Sequence, residues 1–413
     1  MATDVTGTGL PWVEAIAASF DHHDFEQFNR STLPAASARH GHHVVDDLRN
    51  APPLAFRCGA STFTWTPADS GVVVCDGSDG ASTIVEMSAD TFSEWVDELI
   101  TTSGSLRTGR ANLVQGDSSE WARWEPAFRS LMTGRPMYST AVWETLVDRD
   151  GTPLELDRRF EPDDDPDEMR HFLRTAGYLH VRGGIDAETT ALLGEEVTRA
   201  AASTEIGDPF SWWSVNASDE EVVTRINYVG RHSEIVQRFS FDPRLAHYAG
   251  LATDEPLRVC DDRLDGPMVF IKNSNVVKGS GDLVWHVDDG IGGHPVMCPL
   301  LQVGVQLDHA NPENGQLLVL AGSHRYSKHW IAWGEENDLP AVAFVTEPGD
   351  VTVHFGDTMH TTPAPTGPNA GRRVLYYKFA TAKTFDWVPA GCHYNDALFS
   401  VQDGKVSHRA AYE

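Results

Sequence analysis

The sequence predicts an α+β protein of two domains, a small N-terminal α/β domain and a larger C-terminal jelly roll with flanking helices. Three observations predict this. At 413 residues the chain exceeds what one ordinary core organises, and length alone argues for two to three domains. The acidic stretch Glu161-Pro-Asp-Asp-Asp-Pro-Asp-Glu168 cannot bury enough apolar surface to fold alone, which makes residues 148–168 a linker between domains at 1–147 and 169–413. From Met268 onward, short apolar runs recur with turn signals between them, the pattern of a double-sheet jelly roll.

Taken in order, Trp12, Ile16 and Phe20 fall at four-residue steps and predict one buried helical face. His22, His23, His40, His42 and His43 follow in polar surroundings, which suit a solvated surface better than a metal cluster. Phe63–Trp65 and Val72–Cys75 read as strands, residues 77–80 as a hairpin turn and Ser82–Met87 as the returning strand. Ser88 is placed to cap a helix that buries Phe92, Trp95, Val96 and Leu99. Gly109-Arg-Ala-Asn-Leu-Val-Gln-Gly-Asp117 is a short strand ending in a turn, before a helix carrying Trp121, Trp124, Phe128 and Leu131. This order, with a Gly-x-x-x-x-x-x-Gly-Asp strand ahead of the last helix, resembles the sterol carrier protein fold over about residues 54–138. The resemblance implies an apolar module that binds lipid or packs against protein.

In the second domain, a short helix from His171 stops at Gly177 and a strand begins at Tyr178. Asp186 N-caps a helix that runs to about Ala202 with Leu192, Leu193 and Val197 inward. Residues 209–214 read as an aromatic loop. Strands are expected at Met268–Lys272, Leu283–Val287, Leu301–Asp308, Gln316–Leu320, Ala341–Thr346, Val351–His354 and Arg373–Phe379, with turns at residues 311–315 and 347–350.

Bulk properties narrow the function. A formal net charge of −28 and a pI near 4.9 disfavour phosphate backbones and anionic membranes, so no nucleic-acid partner is expected. Five scattered cysteines without CxxC spacing fit reduced thiols. With no basic, apolar leader at the N-terminus and no long apolar run, the expectation is a cytoplasmic protein without a membrane span. Oligomeric state is not legible.

The chemistry is concentrated in Trp285-His-Val-Asp-Asp289. Alternate residues of a strand share a face, so His286 and Asp288 aim at one point while Val287 and Asp289 turn away. A second histidine, His360, ends the segment Val-His-Phe-Gly-Asp-Thr-Met-His, with His354 as the alternative within the strand. Two histidines and a carboxylate form the facial triad that holds non-haem Fe(II) and leaves positions open. Arg372 and Arg373 follow; a cosubstrate ending in a carboxylate needs a planar, permanently charged fork a short way from the metal.

Gly-Tyr-x-x-x-Arg-Gly at 177–183, His-x-Asp at 286–288, Gly-Gln-Leu-Leu-Val-Leu-Ala-Gly-Ser-His ending at 324, and the Gly349-Asp-Val to His360 segment with Arg372 together resemble the phytanoyl-CoA dioxygenase family. The resemblance covers most of residues 169–382. It implies a double-stranded β-helix using Fe(II), 2-oxoglutarate and O2, with His286, Asp288 and His360 as metal ligands and Arg372 on the cosubstrate; Arg373 is the reserve. Asn273 resembles a cosubstrate-contacting position of related hydroxylases. Asp288 fills the coordination position that halogenases of the superfamily leave to chloride, which favours hydroxylation, desaturation or ring closure. Tryptophans near 212–213 and 330–333 and the carrier-like first domain point to an apolar or amphipathic small-molecule substrate, while Arg325 and Lys328 are candidates for greeting an anionic group. The alternatives are a lipid or sterol carrier with a catalytically silent jelly roll, and a cupin-like zinc or manganese hydrolase, which has no use for the arginine.

Overall fold

The computed structural model describes residues 15–16, 18–107, 109–208, 210–264, 266–279, 282–288, 298–328, 331, 334–367 and 371–392. Trp12, Asp289, Trp330 and Trp333 lie outside the described residues.

The N-terminal sheet comprises β1 (Leu54–Cys58), β2 (Ser61–Ala68), β3 (Gly71–Asp76), β4 (Thr83–Met87) and β5 (Ala111–Gln115), in the order β3-β2-β1-β4-β5. The Ser88 hydroxyl accepts from the Thr91 amide and starts the helix Ala89–Val96. Asp117 caps the helix Ser118–Thr133 in the same way, through the Ser119 amide. Phe92, Trp95, Trp121, Trp124 and Phe128 from these helices close over Phe56 and Trp65 of the sheet, forming a core of their own. The expected β3–β4 hairpin does not form. Strand β4 instead crosses to pair parallel with β1 and antiparallel with β5, which leaves β3 at an edge. A turn signal between two apolar runs specifies a reversal; it does not specify which strand receives the chain.

The acidic stretch is tied down rather than loose. Phe160 is fully buried, its amide donates to the His180 carbonyl, and its own carbonyl accepts from the Arg182 amide. Asp165 at the end of the acidic run caps the helix Pro166–Ala176. Residues 148–168 therefore pack along the sheet that follows, because one aromatic in a polar run is enough to anchor it.

The C-terminal region is built from β6 (Tyr178–Val181), β7 (Ser211–Asn216), β8 (Glu221–Ile226), β9 (Leu257–Val259), β10 (Met268–Lys272), β11 (Val276–Lys278), β12 (Leu283–His286), β13 (Leu301–Gln306), β14 (Leu318–Leu320), β15 (Ala341–Ala343), β16 (Val351–Phe355), β17 (His360–Thr362) and β18 (Arg372–Thr381). Among the described residues they make a large sheet ordered β11-β7-β8-β10-β18-β13-β16-β6, with β9 also on β18, and a small sheet ordered β12-β17-β14-β15. Two mainly antiparallel sheets in this arrangement are the jelly roll expected from the spacing of turns. The expected aromatic loop at residues 209–214 is not seen from Ser211 onward, where β7 begins and pairs with β8; Pro209 lies outside the described residues. On the helix Ala187–Ser203, Leu193 and Val197 are buried, whereas Leu192 faces out.

Period-two alternation divides the large sheet into two faces. Leu301, Val303, Val305, Val351, Val353, Leu375 and Tyr377 pack towards the helices in the main core. The intervening Gln302, Gly304, Gln306, Thr352, His354, Val374 and Tyr376 face the other way, towards the small sheet. Gly304 is needed there, because a Cβ at that position would meet the Tyr376 ring at 2.7 Å.

Candidate metal centre and cosubstrate site

The two histidines of the expected triad stand opposite each other, His286 on β12 paired with His360 on β17. Ligand atoms of His286, Asp288 and His360 all lie within 4.8 Å of one another. Both rings are oriented by backbone: His286 Nδ1 lies 2.7 Å from the Val284 carbonyl and His360 Nδ1 2.9 Å from the Thr358 carbonyl. Each Nδ1 donates there, so each Nε2 carries the lone pair a metal needs. Asp288 is placed by its amide, which donates to the Gly356 carbonyl at 2.8 Å, and by Gln302, whose amide nitrogen donates to Asp288 Oδ2. Burial and the neighbouring His360 push the His286 ring down to about 3. Burial acts to raise the Asp288 carboxyl, but His360, His286, His354 and Lys378 outweigh it and hold it at about 2. A neutral imidazole beside an ionised carboxylate is the state that binds a divalent cation.

His354, the alternative third ligand, sits in mid-β16 with its Nε2 4.0 Å from Asp288 Oδ2 and its ring 4.7 Å from that of His360. It is buried, and neither ring nitrogen has a hydrogen-bond partner among the described residues. Gln302 and His354 were missed as a pair. Strand periodicity places both on the inward face, but only the β13–β16 register sets them side by side next to Asp288.

Arg372 is buried, with Nε and Nη2 both donating to the Gly315 carbonyl at 3.0 and 2.7 Å. Arg373 points to the other face, where Asp308 takes its Nε and Nη2 and Gly194 and Thr198 take its Nη1. The Asn273 amide nitrogen donates to the Val223 carbonyl at 2.8 Å, so any contact with a cosubstrate falls to its carbonyl oxygen. A residue the sequence reading passed over, Lys272, lies directly across from Arg372 on the paired strands. Met268, Phe270, Val374, Tyr376 and Leu283 form an apolar cluster of their own on this part of the barrel.

Several motif residues prove to be structural. Asp350 accepts from His180 Nε2 and from the amides of Gly183 and Glu347, and so clamps the turn after β6. His324 stacks on Phe355 and lies against Gly177, where a Cβ would meet its Nδ1 at 2.5 Å; with φ at +88° that position calls for glycine on both counts. Lys328 is 2.5 Å from Asp357 and Arg325 donates to Thr145, so both are engaged within the protein.

Residues 173–374 match the family model described as phytanoyl-CoA dioxygenase (PhyH). Among curated proteins none matches the chain. Solved structures similar to this chain include EctD from S. alaskensis with 2-oxoglutarate and 5-hydroxyectoine, at 21% identity and TM-score 0.44, covering 54% of this chain and 79% of that one. Another is the epimerase SnoN in complex with Fe3+, alpha ketoglutarate and nogalamycin RO, at 22% and 0.42, covering 52% and 84%. The carbocyclase SnoK from nogalamycin biosynthesis stands at 17% and 0.41, covering 54% and 86%. The strands that carry His286, His360, Lys272 and the start of β18 with Arg372 all fall within the stretch that matches the PhyH family model.

Proposed function

We propose that this protein is an Fe(II)- and 2-oxoglutarate-dependent dioxygenase that oxidises a C–H bond of an apolar or amphipathic small molecule. Hydroxylation is the outcome favoured by Asp288. The balance is substrate C–H plus O2 plus 2-oxoglutarate giving substrate C–OH, succinate and CO2. The observation that carries the reading is the gathering of three ligand atoms within 4.8 Å, with both imidazole Nδ1 atoms turned to backbone carbonyls. Bound there, the metal supplies the activation of O2.

The chain's own residues do the rest. His286, Asp288 and His360 hold the metal on one side, and Gln302 keeps the Asp288 carboxylate aimed. Arg372 receives the far carboxylate of the cosubstrate, and its Nη1 has no acceptor among the described residues. Asn273, whose amide nitrogen is held by the Val223 carbonyl, is proposed as a further cosubstrate contact through its side-chain oxygen. The apolar cluster of Met268, Phe270, Val374, Tyr376 and Leu283 keeps water from that interior. In this reading residues 1–147 are a separate domain that packs rather than carries lipid, since its interior is filled by its own aromatic rings.

The test is succinate formation from 2-oxoglutarate by protein with Fe(II) and ascorbate under air, beside Asp288→Ala and Arg372→Ala. Turnover in the wild type alone supports the reading. If anaerobic protein with Fe(II) fails even to bind 2-oxoglutarate, the carrier alternative takes its place. A substrate screen in which only small polar compounds drove turnover would remove the apolar-substrate part and leave the chemistry standing.

A further inference from the structure

The two oxygens of Asp288 face different surroundings. Oδ1 lies 3.9 Å from His360 Nε2, on the side of the other ligands. Oδ2 faces the large sheet, where Gln302 donates to it and His354 Nε2 stands 4.0 Å away. Gln302 on β13 and His354 on β16 are direct partners in the antiparallel ladder, so their side chains leave the sheet together towards that oxygen. The same segment fixes the backbone, since the Asp288 amide donates at 2.8 Å to the carbonyl of Gly356, two residues beyond His354. His354 is itself no member of the ligand cluster, which consists of His286, Asp288 and His360.

A histidine is costly at this position. It is buried, and neither ring nitrogen has a hydrogen-bond partner among the described residues. An orphaned buried N–H has lost its hydration without return. The neighbouring rings of His360 and Tyr376, at 4.7 and 6.0 Å, offer it only ring packing, which a phenyl group would match. Packing therefore gives no reason for the imidazole, and Asp288 gives one. A carboxylate oxygen accepts two hydrogen bonds, Gln302 supplies one to Oδ2, and a shift of about 1 Å brings His354 Nε2 into range for the second. Polar contacts in a site often stand long until its ligand is in place.

We propose that His354 is a positioning residue which, with Gln302, holds Asp288 Oδ2 through its N–H and so leaves Oδ1 alone to the metal. The inference rests on the function proposed above. Ligation through one oxygen keeps open the positions that a two-point cosubstrate and O2 require. A carboxylate free to turn both oxygens to the metal would take one of those positions.

The experiment uses Co(II) as the probe, because its visible absorption weakens as the number of ligands rises. Co(II) is titrated into wild type, His354→Phe and His354→Gln, and the unfolding midpoint of each metal-free protein is measured beside it. His354→Phe is expected to bind Co(II) about 10- to 100-fold more weakly, with a weaker visible band as the second oxygen joins the metal. Its metal-free midpoint is expected to stay level or rise, since an orphaned polar group has been removed. His354→Gln restores a donor and is expected to recover part of the affinity and the wild-type band. A purely structural role would instead lower the midpoint and leave the band unchanged, which would overturn the assignment. Wild-type affinity and absorption in His354→Phe would overturn it equally. If His354→Phe does not fold, His354→Leu takes its place under the same criteria. Wild type that binds no Co(II) would overturn the proposed function itself, an outcome read from the wild type alone.

Discussion

The two sheet-based cores of this molecule are filled by opposite means. In the N-terminal core, Phe56, Trp65, Trp95, Trp121, Trp124 and Phe128 are each 1% exposed or less, and their rings touch one another, with Trp95 and Phe128 stacked at 4.5 Å. Polar groups there are few: Trp65 Nε1 donates to Asn29 Oδ1 at 2.7 Å, while Trp121 Nε1 is buried without a partner among the described residues. The inner face of the jelly roll instead carries Lys272, Gln302, Gln306, His354, His360, Arg372 and Lys378, all buried. A sheet whose purpose is stability buries apolar surface on its inner side. Here the large sheet has already done so on its other face, against the helices, which leaves the inner face available for costly polar groups. Stability and chemistry are thus assigned to different surfaces.

That division can be broken from either side. Trp95→Ala removes the ring that stacks on Phe128 and touches Phe56 and Trp121, and it is expected to cost about 3–5 kcal/mol in denaturant unfolding. If the division holds, 2-oxoglutarate binding by the folded variant stays at the wild-type level; a parallel loss would show that the two cores act as one.

Gln302→Leu tests the other side. It replaces the donor to Asp288 by an apolar group of similar size, so it is expected to weaken Fe(II) affinity by about 10- to 100-fold while leaving the unfolding midpoint near its original value. A fall in stability without a change in metal affinity would reassign Gln302 to packing.

Asp350→Asn is expected to lose about 1 kcal/mol near neutral pH, the smallest of these effects. Burial acts to raise the Asp350 carboxyl, but His180 and the Glu347 and Gly183 amides outweigh it and hold it below its ordinary value. A depressed carboxylate stabilises the fold above its unfolded pKa of about 4, and that contribution disappears as pH falls through the lower folded value. The gap between wild type and Asp350→Asn should therefore close on acidification; a gap independent of pH would mean that the clamp is not ionic.

Much of this was legible in the residues. Strand periodicity led to the expectation that His286 and Asp288 share a face; β12 ends at His286, and Asp288 reaches His286 and His360 from just beyond the strand. The capping roles expected of Ser88 and Asp186 are present, each accepting from the amide three residues on. Met268–Lys272 occupies the strand bounds expected of it, because an apolar run between turn signals has few other solutions. The failures share one cause. The 77–80 turn and the 209–214 segment were each read from local composition, and each was decided by a distant partner: β1 for β4 and β8 for β7.

By itself, then, the sequence determined the kinds of ligand present, the face each shares with its strand neighbours and the places where the chain must turn. These follow from the two-residue repeat of a strand and from the backbone preferences of glycine, proline and capping residues, which act over a few positions. Tertiary structure alone decided that Gln302 and His354 flank Asp288, that Lys272 meets Arg372 over Gly315, and that Asp350 and His324 serve the scaffold. Those pairings depend on the register between strands far apart in the chain, and register is set by the packing of whole faces rather than by any one segment.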